Sequence, residues 1–260
     1  MLVAKLSAVT ALISCAEFLA APGILKDSGL MSWEVSSLRQ AWLIKPPAAP
    51  ALNAALRYPN VLGLVALRAM LAIAILAGTG AVAVNPWILC LQSILTGLLT
   101  VRSLYGQDGA DQMNWITFSA LALASLHPTS QVLTACLWFL GLQACLAYGT
   151  AGIAKATARQ WWTGEFLPLV LGTRMYGNVG FARFLYGNPH IARALSISIV
   201  LWESLFPIIL ILPAQAALAL LVTAVLFHLL NAVIMGLNTF FWAFVATYPA
   251  VLYCVQHRPW

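Results

Sequence analysis

Five ionisable side chains stand inside or at the ends of long apolar runs: Glu17, Arg68, Lys155, Glu203 and His228. An ionisable group within a bilayer costs about 2.5 kcal/mol or more, so each needs a partner or a task. Arg68 lies early in its run, and Glu203 lies about midway in its own. Lys155 closes a third, three residues after Gly152. His228 and Asn231 are three residues apart, which puts them on one face of a helix. The chemistry open to such a set is proton transfer on a ligand held among apolar side chains. Lys155 would be the base, and Glu203 and His228 would orient a substrate or relay protons. The expectation is that these three converge on one polar pocket, with Asn231 beside His228.

Each residue also has a purely structural reading. Glu17 and Arg68 can form an ion pair between helices, since buried charges are paired. Glu203 can pair with a loop arginine. His228 can donate a hydrogen bond between helices. Lys155 can extend to the lipid headgroups on its apolar stem. Glu17 and Arg68 are expected to face the bundle interior and pair, or each to have another polar partner; for the others both readings stay open.

The elements that must hold these residues follow from composition. Hydrophobic residues make up 62% of 260 positions and charged residues 8%, against ~25% charged in soluble domains. So much apolar surface does not fit one core, and lipid is the expected solvent. At ~20 residues per span plus loops, the length suits seven or eight transmembrane helices. The reading is an all-α, polytopic transmembrane bundle, one domain over residues 1–260. The apolar N-terminal run holds Glu17 and lacks a small-x-small cleavage site, so it is expected as a retained first span.

The runs fall at about Ser7–Leu25, Val61–Val84, Trp87–Leu104, Met113–Leu126, Gln131–Ala156, Ala194–Leu212, Ala214–Leu237 and Thr239–Val255. Residues 26–60 carry Trp33, Trp42, several charges and Pro46-Pro47, which suggests an interfacial helix and then a loop. Tyr105 to Gln112 reads as a polar turn. Residues 157–193 are semi-polar, with Gly-Asn pairs at 177–178 and 187–188 that read as turns. This second segment is expected to be interfacial or re-entrant.

The net charge is +6, from 13 Lys and Arg against 7 Asp and Glu. The cations sit mainly in loops, the ordinary membrane pattern, so nucleic acid is not expected as a partner. With eight spans, Lys26, Arg39, Lys45, Arg57, Arg102, Lys155, Arg159, Arg174, Arg183 and Arg193 share one side. Lys5 and Arg258 share the other. The bias toward cytoplasmic cations then puts both termini outside. The five cysteines (Cys15, Cys90, Cys136, Cys145, Cys254) form no CxxC pair, so neither a metal site nor a dithiol is expected.

One stretch carries more than composition. Tyr148-Gly-Thr-Ala-Gly-Ile-Ala-Lys155, followed by Trp162-Thr-Gly164, resembles the signature Tyr-x-x-Ala-Gly-x-x-Lys and Trp-x-x-Gly of the vitamin K-dependent γ-carboxylase-like (HTTM) membrane family. Trp162 stands one residue too near Gly164, and Trp161 restores the spacing. Leu67-Arg68-Ala69, the turn from Gly106 to Asp111, Trp202-Glu-Ser-Leu-Phe-Pro207, and His228 ahead of Phe240 and Phe241 are similar too. That family includes the carboxylase that uses vitamin K hydroquinone, oxygen and carbon dioxide. It also includes bacterial members such as sporulation-delaying protein B, involved in maturing a secreted peptide toxin.

The resemblance implies a bacterial inner-membrane protein with a quinone or hydroquinone cofactor and a peptide substrate. It makes Lys155 the base, and a desolvated amine is more easily held neutral for that work. Tyr148, Gly152 and Trp162 would join Asn231 in binding substrate, with Gly152 leaving room for a flat ring. The carboxylase's large extramembrane domain has no counterpart in this chain, so a second protein would supply it. Against an enzyme stands a non-catalytic subunit that anchors a secreted-peptide maturation complex. A transporter is the third possibility, but no inverted repeat supports it.

Overall fold

The computed structural model describes residues 1–39, 49–80, 82–103, 109–173 and 177–258. Among them the chain is helical, with no strand. Helices are the open-chain solution for apolar segments in lipid, because each satisfies its own backbone hydrogen bonds. Five helical segments are long and apolar enough to cross a membrane: Leu2–Ala20, Ser130–Ala156, Pro189–Leu210, Ala214–Met235 and Asn238–Gln256. A sixth arises if Pro50–Leu56 and Val61–Ala77, bent by 75°, count as one span; Pro86–Arg102 is a shorter apolar helix.

The chain divides into two compact units. The first comprises Met1–Cys136 with Trp242–Ala246. In it, α1 (Leu2–Ala20), α4 (Val61–Ala77), α5 (Pro86–Arg102) and α6 (Gly109–Leu126) pack together, with the short α2 (Trp33–Arg39) and α3 (Ala49–Leu56) between α1 and α4 in the chain. Asn85 caps α5, its side chain accepting from the backbone N–H of Trp87 and Ile88, with Pro86 at the position where no N–H is needed. Two apolar clusters set the register. One gathers Ala4, Ala8 and Ala11 with Ala72, Ile75, Leu89 and Phe118. The other gathers Cys15 and Leu25 with Val61, Val65 and Leu99. Early α1 therefore lies level with late α4 and early α5, so α1 and α5 run parallel and α4 runs against both.

The second unit comprises Leu137–Phe241 and the residues from Thr247 on. It holds most of α7 (Ser130–Ala156), then α8 (Arg159–Thr163), α9 (Phe166–Leu171), α10 (Val179–Gly187), α11 (Pro189–Leu205) and α12 (Ala214–Met235). The chain continues through α13 (Asn238–Val245) and α14 (Tyr248–Gln256). A 3-10 turn, Phe206–Leu210, continues α11, where Pro207 supplies no N–H to an α-helical bond. Gly164, at φ +85°, ends α8. A Cβ there would lie 2.5 Å from the Arg193 backbone, so glycine is needed both for the turn and for the approach of α8 to α11.

The helix bounds follow the apolar runs with several departures, among them the starts of α1 at Leu2 rather than Ser7 and of α11 at Pro189 rather than Ala194. The first helix stops at Ala20, ahead of Pro22, rather than at Leu25. Gly109–Gln112 is the first turn of α6 rather than part of a polar turn; residues 104–108 lie outside the described residues. The last run is two helices, α13 and α14, divided at Ala246–Thr247 ahead of Pro249. The second expected run ends at Ala77 rather than Val84. Of the segment 157–193, residues 159–187 hold the short helices α8, α9 and α10, whereas 189–193 already belong to α11; Asn178 caps α10 by accepting from the Phe181 N–H at 3.0 Å. Trp42, Lys45, Pro46-Pro47 and Arg174 lie outside the described residues.

Candidate functional site

Lys155 ends α7, where a cation also satisfies the negative end of the helix dipole. Its Nζ donates to Glu203 Oε2 on α11 at 2.5 Å, and the two side chains are 24% and 7% exposed. The same Nζ lies 5.6 Å from the centre of the Trp161 ring on α8, within cation–π range. The lysine thus clips three helices together. Glu203 pairs with Lys155 and not with a loop arginine. Trp162 faces elsewhere and donates from Nε1 to the Ala156 carbonyl at 2.8 Å; Trp161 is the tryptophan that meets the lysine.

Two turns earlier on α7, Tyr148 is buried in an aromatic box. Its hydroxyl meets His228 Nε2 at 2.5 Å and the Tyr248 hydroxyl at 2.7 Å. Its ring lies 4.0 Å from Phe206 and 5.4 Å from Trp202, centroid to centroid. His228 sits among Phe227 and Phe240, at 5.2 and 5.0 Å. A histidine in such surroundings needs a hydrogen-bond partner, and the Tyr148 hydroxyl provides one.

This geometry bears on three site expectations. Lys155 and Glu203 meet, but His228 joins Tyr148 and Tyr248 instead; seven residues separate the two contacts on α7, about 10 Å along the helix axis. Gly152 leaves no room for a ring, because the backbone and side chain of Ser204 on α11 already fill the place of its missing Cβ. Small residues allow such close helix crossings. Glu17 and Arg68 do not pair. Among the described residues the ion pairs are Arg57–Glu34 and Lys155–Glu203. Glu17 is exposed, whereas Ser14 and Cys15 carry the face of α1 that meets Arg68.

A cavity of about 550 Å³ lies beside this site, between α9–α10 and the α11–α12 pair. It is almost wholly apolar, with Trp202 and Phe227 giving it aromatic walls and Ser198, Thr223 and Asn231 its polar points. Trp202 and Phe227 pack at 4.9 Å, and Trp202 Nε1 donates to Thr223 Oγ1 at 3.0 Å. Asn231 therefore belongs to the cavity, while His228, next to that stripe of α12, belongs to the buried tyrosine contact. Trp202 touches both, since it lines the cavity and packs edge-on against Tyr148.

Sequence reading missed Tyr248, Phe227 and the cavity role of Trp202. Tyr248 and Phe227 look like ordinary members of apolar runs. The available signal was on α11, where Leu195, Ser198, Ile199 and Trp202 repeat at helical spacing on one side.

Fold and site together define a protein helical among the described residues, with several membrane-length apolar helices, a partly buried lysine–glutamate pair and an apolar cavity. Comparison with family models, curated proteins and solved structures finds no match.

Proposed function

We propose that the chain is a multi-pass membrane protein of the bacterial inner membrane, with seven or eight spans, that binds a lipid-soluble ligand of the quinol class. Lys155, with Glu203, handles the proton in this reading. The carrying observation is the Lys155–Glu203 pair, placed next in sequence to Trp202 on the cavity wall. A cavity of about 550 Å³ falls within the roughly 300–1,000 Å³ usual for small-molecule sites.

The residues present suit such a ring. Trp202 and Phe227 offer flat apolar faces, and Asn231 and Ser198 offer hydrogen bonds to its oxygens. A bound hydroquinone supplies reducing equivalents and an ionisable hydroxyl. The chain's own residues exclude water, orient the ring and hold a proton between Lys155 Nζ and Glu203 Oε2. Modification of a peptide, as the carboxylase-like signature suggests, then calls for a partner protein with a soluble domain.

The test uses the full chain in nanodiscs. A short-tailed quinone should quench tryptophan fluorescence saturably, and Trp202→Phe should remove the saturable part. Lys155→Arg should keep binding and abolish quinol-dependent turnover, because arginine holds its proton at any working pH. Absence of saturable quenching overturns the reading.

A second reading is a non-catalytic subunit anchoring a peptide-maturation complex. Two observations favour it: Ser204 occupies the space beside Gly152, and Lys155 is already engaged by Glu203 and Trp161. In that case Lys155→Arg is fully functional.

A further inference from the structure

The first unit contains a polar layer that the proposed function does not use. Arg68, the eighth residue of α4, is 1% exposed. Its guanidinium donates to Thr96 Oγ1 (3.2 Å), Ser14 Oγ (3.2 Å) and Cys15 Sγ (4.0 Å). With the Asn114 amide turned to satisfy both its neighbours, Nη2 also donates to Asn114 Oδ1 at 3.3 Å, and Asn114 Nδ2 donates to the Ser7 carbonyl at 3.1 Å. All these partners are neutral. Asp111, one turn before Asn114 on α6, acts on Arg68 through its field, but no carboxylate oxygen among the described residues lies within 4.0 Å of the guanidinium.

Four buried polar atoms in the same layer make no hydrogen bond: Ser7 Oγ, Thr10 Oγ1, and both Gln92 amide atoms. Ser7 and Gln92 are 0% exposed and Thr10 is 1%. Their register puts them at neighbouring levels. Thr10 stands one turn before Ser14, and Gln92 one turn before Thr96; α1 and α5 run parallel, and Arg68 bridges Ser14 to Thr96. Thr10 and Gln92 therefore fall at one level, with Asn114 reaching from Arg68 to Ser7 alongside them. The alanine-rich cluster closes the layer on one side and the Cys15–Val61–Leu99 cluster on the other.

A buried cation with no carboxylate within 4.0 Å, and the unsatisfied donors Gln92 Nε2 and the Ser7 and Thr10 hydroxyls, can all be met by one negative ligand that accepts hydrogen bonds. We infer that this layer is a binding site for one small monovalent anion, of halide or formate size. Arg68 supplies the charge, and Gln92 Nε2 with the Thr10 and Ser7 hydroxyls completes the shell. With these side chains 0–1% exposed, the site favours the smallest anions over sulfate and larger carboxylates. Asp111 moderates the charge of Arg68 but leaves these donors unfilled.

Thermal unfolding of the full chain in detergent tests this, with chloride exchanged for gluconate at constant ionic strength. Chloride and formate should raise the midpoint saturably, and sulfate should not. Arg68→Gln should abolish the effect. Because that variant can fail to fold, Gln92→Leu and Thr10→Val carry the test independently. Both should unfold in gluconate no earlier than the wild type, since each removes a polar group that lacks a partner. Both should also raise the half-saturating chloride concentration at least tenfold. A wild-type midpoint equal in chloride and gluconate means a water-filled layer and overturns the proposal. Full chloride dependence in Gln92→Leu places any anion elsewhere and overturns it equally.

Discussion

Gly152 of α7 lies directly against Ser204 of α11, where the Ser204 backbone N, Cα and Oγ fill the volume a Cβ would take. Gly152→Ala should therefore push the two helices apart and cost about 1–3 kcal/mol, the usual range for overpacking. Gly63, exposed in α4 with nothing within 4 Å of its would-be Cβ, is the control. Gly63→Ala should stabilise by about 0.5–1 kcal/mol through helix propensity. Thermal melts of the two variants should move in opposite directions.

Removing one member of the Lys155–Glu203 pair leaves the other buried and alone. Lys155→Met should destabilise by about 3–5 kcal/mol, and the double variant Lys155→Met/Glu203→Leu should recover most of it. A double-mutant cycle by chemical unfolding measures this. Simple addition of the two single effects would show that the pair carries no coupling.

The Tyr148 hydroxyl serves two partners, His228 and Tyr248, whereas the Tyr248 hydroxyl serves Tyr148. Tyr148→Phe should cost about 1–3 kcal/mol, the penalty for stranding buried polar groups, and more than Tyr248→Phe. Equal unfolding midpoints for the two variants would contradict the arrangement.

Ser198 is an exposed polar point on the cavity wall. Ser198→Trp should fill the cavity, leave the unfolding midpoint within a few degrees of the wild type, and abolish saturable quinone quenching. Retained quenching would place the quinone outside this cavity.

Apolar periodicity carried the helix pattern well. The run expected at Gln131–Ala156 is Ser130–Ala156, and that at Ala214–Leu237 is Ala214–Met235. Length and hydropathy suffice there because nothing interrupts the backbone. Pro189–Leu210 and Asn238–Gln256 are likewise single membrane-length segments, but the local breaks at Phe206–Leu210 and Ala246–Thr247, beside Pro207 and Pro249, do not lower the apolar character of the run and so leave no mark in it. At the site, residue type found Lys155 and Glu203, because costly charges on apolar helices must meet something. Partner choice was less legible. Glu17 was matched to Arg68 by charge, yet two residues past Cys15 it has turned about 200° around α1. Rotation about the helix axis, rather than charge, made Ser14 and Cys15 the partners.

Arg102 has a mechanical consequence. Fully buried at the end of α5, it donates from Nη2 to the Leu25 carbonyl at 2.8 Å and from Nε to the Leu56 carbonyl at 2.9 Å. Those carbonyls end the 3-10 turn after α1 and end α3, positions that have no partner within their own helices. One guanidinium thus holds the end of the turn after α1 and the end of α3 to the end of α5. Neither end can peel away while the latch holds, and releasing it frees both together. Arg102→Met should therefore loosen the Leu25 and Leu56 ends together.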